Sequence, residues 1–233
     1  MSLVRSVAFN AWFFGVTVLF CLGSIPVRLR ARQVGRHVAI AYAKVWARTV
    51  LAGLRPLAGI GWRVEGPIPT GPALLAAQHQ SAFETLLWTV LLPDFAFVLK
   101  RELLRIPLFG PMLEVAGMIA VDRAAGAAAL RGLLREGTAA AEAGRQIVIF
   151  PQGTRTAPGT VAALHPGIAA LAQRTGLDVI PVVTDSGRFW GRRAFRKRPG
   201  TIRVNILPPL PAGVPRKALM QCLSDLFAAG PPC

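Results

Sequence analysis

The chain contains three histidines, and imidazole is the side chain best suited to moving a proton near neutral pH. His37 lies among basic residues with no acidic neighbour, and His165 stands before Pro166-Gly167, in a pattern that reads as a turn leading into a helix. His79 is different. It follows the apolar run 73–77, where a buried strand would end, and Glu84 comes five positions later at the start of a helical pattern. A carboxylate on one ring nitrogen fixes the tautomer, frees the other nitrogen to accept a proton and stabilises the imidazolium that forms. Such a pair can activate a hydroxyl without a protein nucleophile. The stretch from Ser81 to Glu84 also reads as S-x-x-E, a helix capping box, and spacing alone does not choose between the two.

A second group of candidates follows the apolar run 146–150. Residues 151–156 read as the loop leaving a buried strand, a place where α/β folds hold ligands. Gly153 lets backbone approach a substrate closely, and Arg155 offers a planar fork to phosphate or, as a plainer alternative, a loop ion pair. Arg123 follows Asp122 at the end of another strand, where an internal ion pair competes with a substrate role; Lys100 ends a third, where a solvated surface lysine is the alternative. No nucleophile elbow, P-loop, dinucleotide fingerprint or zinc-protease motif occurs. Cys21, Cys222 and Cys233 have neither disulfide nor metal-ligand spacing, so a reducing compartment and no bound metal are expected.

The elements that must position these residues are short β-like runs at 62–65, 73–77, 95–99, 118–121, 146–150, 179–183 and 201–206, with helical patterns at 81–92, 125–143, 166–175 and 215–228. Alternation of this kind predicts an α/β fold with a central, mostly parallel or mixed sheet flanked by helices. Ahead of it, residues 6–27 carry no charge and reach the roughly 20 residues of a helix that spans a bilayer or dips into it, with Arg5 before and Arg28, Arg30, Arg32 and Arg36 after. A signal peptide is the competing reading, disfavoured by the Arg-rich sequence that follows at once and the lack of a clear small-x-small cleavage site. Residues 33–57 predict a second helix, with His37, Lys44, Arg48 and Arg55 on one arc and Val38, Ala41, Val45, Trp46 and Leu54 away from it. That pattern suits the membrane interface, or an ordinary surface helix packed on the domain. The expected organisation is an N-terminal membrane-associated helical pair over 1–60 and a catalytic domain over 61–233, with a loose end from Gly230.

Composition points the same way. Lys and Arg number 27 against 11 Asp and Glu, a net charge of +16, while 53% of residues are hydrophobic and only 16% charged. A nucleic-acid binder would be polar as well as basic, so the combination favours an anionic lipid surface and no nucleic acid. The run 188–198 interleaves six basic residues with Phe189, Trp190 and Phe195, which suits a lipid headgroup region, single-stranded nucleic acid or a plain solvated loop.

His79-Gln-Ser-Ala-Phe-Glu84 resembles the H-x4-D block of the glycerolipid acyltransferase family, whose bacterial prototypes are the 1-acylglycerol-3-phosphate acyltransferases. Further blocks follow in the family's order. Lys100-Arg-Glu-Leu103 with Ile106-Pro-Leu-Phe-Gly110 looks like K-x-E-L-x-x-I-P-x-x-G; Gly117-Met-Ile-Ala-Val-Asp-Arg123 is similar to the second motif; Phe150-Pro-Gln-Gly-Thr-Arg155 is similar to F-P-E-G-T-R; and Val179-Ile-Pro-Val-Val183 corresponds to the fourth motif. Glu84 stands where the family usually has Asp, and Gln152 where it usually has Glu.

The resemblance implies an O-acyltransferase of phospholipid biosynthesis. It would take acyl-CoA or acyl carrier protein as thioester co-substrate, with no bound cofactor, and lysophosphatidic acid as acceptor. His79 and Glu84 would be catalytic. Lys100, Arg123, Gln152, Gly153, Thr154 and Arg155 would bind substrate, with backbone N–H groups near Gly153 and Thr154 facing the oxyanion. The expected partners are anionic membrane lipids, the lysophospholipid and the acyl carrier protein, and the expected place is the cytoplasmic face of the inner (plasma) membrane. Another lysolipid, such as a lyso-ornithine lipid, or a non-catalytic lipid-binding relative are the alternatives.

Overall fold

The computed structural model describes residues 2–160 and 162–231; Cys233, and with it part of the chain end expected to be loose, lies outside them. All the expected strands form: β1 (Ile60–Glu65), β2 (Ala73–Ala77), β3 (Phe95–Lys100), β4 (Ile119–Val121), β5 (Gln146–Ile149), β6 (Val179–Thr184) and β7 (Gly200–Ile206). They build one sheet in the order β1-β7-β6-β2-β5-β3-β4. Every pair is parallel except β6 with β7, so the sheet is mixed. The carboxyl ends of β2 to β6 therefore share one edge.

β2 explains why the sheet is covered on both sides. All five of its residues, Ala73 to Ala77, are buried, as expected of a central strand in a parallel sheet. Leu75 and its alternates face one apolar cluster, with Phe83 and Trp88 of α3 (Phe83–Leu91), Ile40 and Val50 of α2 (Arg36–Ala52) and Phe9 of α1 (Ser2–Val34). Leu74 and Ala76 face the other, with α5 (Ala127–Glu142), α6 (Gly167–Thr175) and α7 (Arg216–Ala229). α4 (Gly110–Val115) is a short helix that the sequence patterns do not indicate. The first cluster runs unbroken from α1 and α2 into β2, α3 and β7, across the boundary expected at residue 60.

α1 is longer than the charge-free run and continues through Pro26. Leu3–Arg30 is, by length and composition, the one helix among the described residues apolar enough to cross a membrane. It is nonetheless fastened to the domain. Asn10 donates to Phe195 O (3.0 Å), Trp12 Nε1 to Thr49 O (3.1 Å) and Tyr42 OH to Phe20 O (2.7 Å). Phe9 and Val16 face inward, while Val4, Phe14, Val18, Leu19, Leu22 and Leu29 are exposed. Gly35, at φ 91°, supplies the left-handed turn that folds α2 back.

α2 ends earlier than the expected 57, at Ala52, and Leu54–Ala58 winds into a wider π-helical turn around Pro56, which lacks a backbone donor. The basic arc is only partly displayed. His37, Arg48 and Arg55 are exposed, but Lys44 turns inward to donate to Pro93 O (2.9 Å), because α2 packs against both α1 and α3. α2 is thus packed on the domain with part of the basic arc facing outward.

The amino-terminal edge of the sheet is held by Arg145, which is 4% exposed. Its guanidinium donates to Asp94 Oδ1 (3.1 Å) and to the carbonyls of Gly117, Phe95 and Ala116, and Asp94 also accepts from Arg36 at the start of α2 (3.0 Å). One side chain thus ties together β3, β5, α2 and the end of α4. Removing one partner of a buried pair costs about 3–5 kcal/mol. Arg145→Met should therefore lower the melting temperature by roughly 10 °C. A calorimetric scan with an unchanged midpoint would show that the anchor is not needed.

Candidate active site

The residues singled out in the sequence are mostly gathered at the carboxyl edge of the sheet. β2 delivers the turn carrying His79, β5 the loop 151–156, β6 the turn carrying Ser186 and β4 the segment carrying Arg123. His79 Nδ1 lies 3.1 Å from Glu84 Oε2, and its ring stacks on Phe150 with centroids 4.1 Å apart. Nε2 makes no hydrogen bond among the described residues. The side chain is 15% exposed, enough for a small group to reach it, whereas that of Glu84 is 2% exposed.

Glu84 is also held from the backbone. Ser81 N–H donates to both carboxylate oxygens (3.1 and 3.0 Å), Gln80 N–H donates to Oε1 (3.4 Å), and Phe83 N–H donates to Ser81 Oγ (3.1 Å). The carboxylate half of a capping box, Glu84 accepting from Ser81 N–H, and the histidine pair are therefore both present, while Ser81 Oγ accepts from Phe83 N–H instead of Glu84 N–H. Ser186 Oγ completes the shell by donating to Glu84 Oε1. Ser186 escapes sequence reasoning because it sits in no motif and reaches Glu84 across 102 positions.

Gln152 is buried and acts as a strut. Its Oε1 accepts from His79 N–H (2.6 Å), and its Nε2 donates to Thr156 Oγ1 (3.0 Å). Thr156 N–H and Oγ1 both donate in turn to His79 O (2.9 and 3.4 Å), so three hydrogen bonds clamp the exits of β2 and β5 together. A neutral amide does this by offering one acceptor and one donor at the same position.

Gly153 adopts φ 68°, and a Cβ there would come 2.7 Å from the His165 ring and 2.8 Å from Arg123 Nη1. Only glycine fits, both for backbone reasons and for space. Arg123 Nη1 donates to Gly153 O (2.6 Å), so one of its donors already supports the loop. Gly153 N–H is occupied by Phe150 O, and Thr154 N–H and Arg155 N–H make no hydrogen bond among the described residues. Thr154 itself is exposed.

Arg155 is half-buried, and its guanidinium makes no hydrogen bond among the described residues. Burial lowers its proton affinity, Glu84 opposes that, and Arg192 and Arg193 add to it. Lys100 lies exposed at the end of β3 on the same edge, and no hydrogen bond or ion pair joins it to His79, Glu84 or the 151–155 loop. His165 lines the rim of a cavity of about 280 Å³ beside the loop, with Arg123, Phe150 and apolar residues of α5 and α6. A narrower apolar cavity of about 110 Å³ lies between α1, α2 and α4 and reaches Phe97, whose ring stacks on Phe150 (6.3 Å).

Among the described residues no cluster of three or more His, Cys, Asp and Glu side chains is placed to hold a metal ion. What the arrangement can do is abstract a proton with an oriented imidazole beside a concentrated positive field.

The acyltransferase family model matches residues 62–185. The 1-acyl-sn-glycerol-3-phosphate acyltransferase of Pseudomonas aeruginosa is 34% identical over 205 residues, which cover 87% of this chain and 77% of that protein. The protein of the same name from Limnanthes alba is 29% identical over 66% of this chain, and the chain spans only 56% of that relative's length. Among solved structures, the 1-acyl-sn-glycerophosphate (LPA) acyltransferase PlsC of Thermotoga maritima superposes with a TM-score of 0.77 at 21% identity, covering 98% of this chain and 95% of that one, a likeness of fold. With its sheet-edge motifs inside the matched region and a relative sharing a third of its residues along most of its length, this chain belongs to the acyltransferase family.

Proposed function

We propose that this acyltransferase moves a fatty acyl group from an acyl thioester, acyl-CoA or acyl carrier protein, to the free hydroxyl of lysophosphatidic acid, forming phosphatidic acid. One observation carries the reading: His79 has Nδ1 tied to a buried carboxylate and Nε2 open at the sheet edge. The names of the relatives support the choice of acceptor. His79 Nε2 takes the hydroxyl proton as the oxygen bonds to the thioester carbonyl carbon. The resulting oxyanion is met by the N–H groups of Thr154 and Arg155. Collapse breaks the carbon–sulfur bond, and the imidazolium returns the proton to the departing thiolate. Arg155, Arg123 and Lys100 supply positive charge for the acceptor's phosphate, while Gln152 and Gly153 hold the loop that presents them. The mechanism needs no metal or bound cofactor.

The membrane reading rests on α1. Fastened to the domain at Asn10, Trp12 and Ser24, the helix is not free to cross a bilayer alone, whereas its outward apolar face can lie in the plane of one leaflet. The net charge of +16 favours an anionic leaflet, and the cytoplasmic face of the inner (plasma) membrane fits both. The acyl chains would then reach the site beside α1 and α4, where the apolar cavity lies.

Purified protein given acyl-CoA and a panel of lysolipids should release thiol fastest with lysophosphatidic acid; preference for a headgroup without phosphate would point to the lyso-ornithine class instead. His79→Ala should slow turnover by about 10²–10⁴-fold, the usual worth of general-base assistance, and a variant keeping most of its rate would sink the mechanism.

Glu84→Gln keeps an acceptor for Ser81 N–H but turns an amide NH₂ toward other donors and cannot stabilise an imidazolium. The expected result is a large rate loss with a modest drop in melting temperature. Loss of stability alone, at normal turnover, would leave Glu84 as a cap.

Deleting 1–59 would strip Phe9, Ile40, Val50 and Leu54 from the core, so surface changes test the membrane reading better. Val18→Glu with Leu22→Glu, both on the exposed face, should lower binding to anionic vesicles at least tenfold with an unaltered thermal melt. Equal co-sedimentation would place the membrane contact elsewhere.

A further inference from the structure

The carboxylate that orients His79 is held by donors of two kinds. Those of the first kind are local: the N–H groups of Gln80 and Ser81 belong to the same turn as Glu84 and move with it. Ser186 is of the second kind. Its hydroxyl reaches Glu84 Oε1 from the turn after β6, far along the chain. The direction of that bond is fixed, because an ionised carboxylate only accepts. Ser186 Oγ makes no other hydrogen bond among the described residues, so its donation to Glu84 is the role the structure gives it.

Ser186 itself has little freedom. It is fully buried, its N–H donates to Thr184 Oγ1 (3.2 Å), and that hydroxyl donates in turn to Arg203 O of β7 (2.9 Å). Its carbonyl accepts from Phe189 N–H and Trp190 N–H (3.1 and 2.8 Å). Gly187, next in the chain, donates to Gln80 Oε1 (3.0 Å), and a Cβ there would come within 3.0 Å of both Gln80 and Pro158, so the segment is wedged between the loops leaving β2 and β5. Farther on, Trp190 is buried edge-on against Phe9 and Phe13 of α1, with centroids 5.0 and 5.6 Å away. Lys197 lies over the Trp190 ring and donates to Asn10 Oδ1. The hydroxyl is thus presented by a turn braced against the sheet, two strand-exit loops and α1.

The two members of the acid–base pair are fastened to the sheet in different ways. The backbone of His79 is clamped to the exit of β5 by Gln152 and Thr156. Glu84 lies on the first turn of α3, and its long side chain has rotamers that point elsewhere. Without a fastening outside its own turn, the carboxylate would be free to swing with the helix end while the imidazole stayed in place. We propose that Ser186 is a positioning residue for the acyl transfer: its hydroxyl pins Glu84 Oε1 to the end of β6, so that Oε2 stays on His79 Nδ1 and Nε2 stays aimed at the incoming hydroxyl. Being fully buried, Ser186 meets no substrate and acts through Glu84. The inference rests on the reading of His79 as the general base.

The test uses the full chain with Ser186→Ala and Ser186→Thr, each made in the wild type and in Glu84→Gln. Initial rates are measured against lysophosphatidic acid and acyl-CoA, and thermal unfolding is followed for every variant. Ser186→Ala should lower kcat roughly 10-fold or more, the rate equivalent of one hydrogen bond to a charged group, with both KM values little changed. Threonine, which keeps the hydroxyl, should recover most of that loss. In the Glu84→Gln background Ser186→Ala should cost little further, because the carboxylate through which it acts is gone and residues acting as one unit are not additive.

A serine needed only for folding would behave differently. Its loss would lower the melting temperature and slow both backgrounds by the same factor, and that result would overturn the proposal. So would an unchanged kcat, or a loss that appears in KM alone. Should the alanine variant not fold, Ser186→Cys takes its place, a side chain of similar shape with a weaker donor. Its kcat should then fall between those of the wild type and Glu84→Gln, and a wild-type kcat would overturn the proposal. Failure of the functional reading is separable. If another lysolipid proves to be the acceptor, the same comparison is made with it, since the role requires only a hydroxyl and a thioester. A His79→Ala variant that keeps most of its rate would refute the general base, and Ser186 with it. An inactive His79→Ala beside a fully active Ser186→Ala would refute the positioning role alone.

Discussion

A buried carboxylate, that of Glu84, whose side chain is 2% exposed, is the constraint around which the rest of the structure is arranged. Taking an ionised carboxylate out of water costs several kcal/mol unless its oxygens are met by donors. Here they are met by the His79 ring, two backbone N–H groups of the turn before α3, and the Ser186 hydroxyl. Those donors come from the ends of two neighbouring strands, β2 and β6, and from the start of a helix. The same interactions that make the buried charge tolerable also fix the tautomer and direction of the imidazole. A one-residue slip of β6 against β2 would turn Ser186 away from the carboxylate. Strand register and site geometry are therefore one requirement.

A second requirement follows from the sheet's two faces. One is closed by α5, α6 and α7, which are amphipathic in the ordinary way. The other is closed by α1, α2 and α3, of which α1 is apolar nearly all round: one side enters the core and the other stays exposed. That outward side accounts for much of the excess of hydrophobic over charged residues in the composition. Because α1 also meets the turn after β6 through Phe9, Asn10 and Phe13, the apolar surface and the turn rooted at Ser186 are held in one rigid relation.

Gln152 illustrates how a departure from a family motif is absorbed. The family's usual glutamate could accept the His79 N–H, but only an amide can also donate to Thr156 while remaining neutral. In this chain the position joins the ends of β2 and β5 and adds no charge beside Glu84. The positive charge of Arg155 beside the site is correspondingly less opposed.

Much of this was legible in the residues alone. Alternating and continuous apolar runs specify all the strands, since a residue pattern of period two or an unbroken buried run is imposed by the pleat itself. The pairing of His79 with Glu84 was legible because both lie within one local turn, and the ordered motifs placed Gln152, Gly153 and Arg155 on a strand-exit loop. Other features were decided only in three dimensions. Ser186 and His165 reach the site from distant parts of the chain, and no local spacing encodes a contact made by strand order. The inward turn of Lys44 and the anchoring of α1 depend on which neighbours pack beside them. Sequence by itself determined the elements, which follow from propensity and short-range periodicity, and through its ordered motifs singled out His79 with Glu84, whose spacing alone left a helix cap equally open. Tertiary structure decided which cations surround that pair and which side of α1 stays exposed, because both depend on the order in which strands and helices assemble.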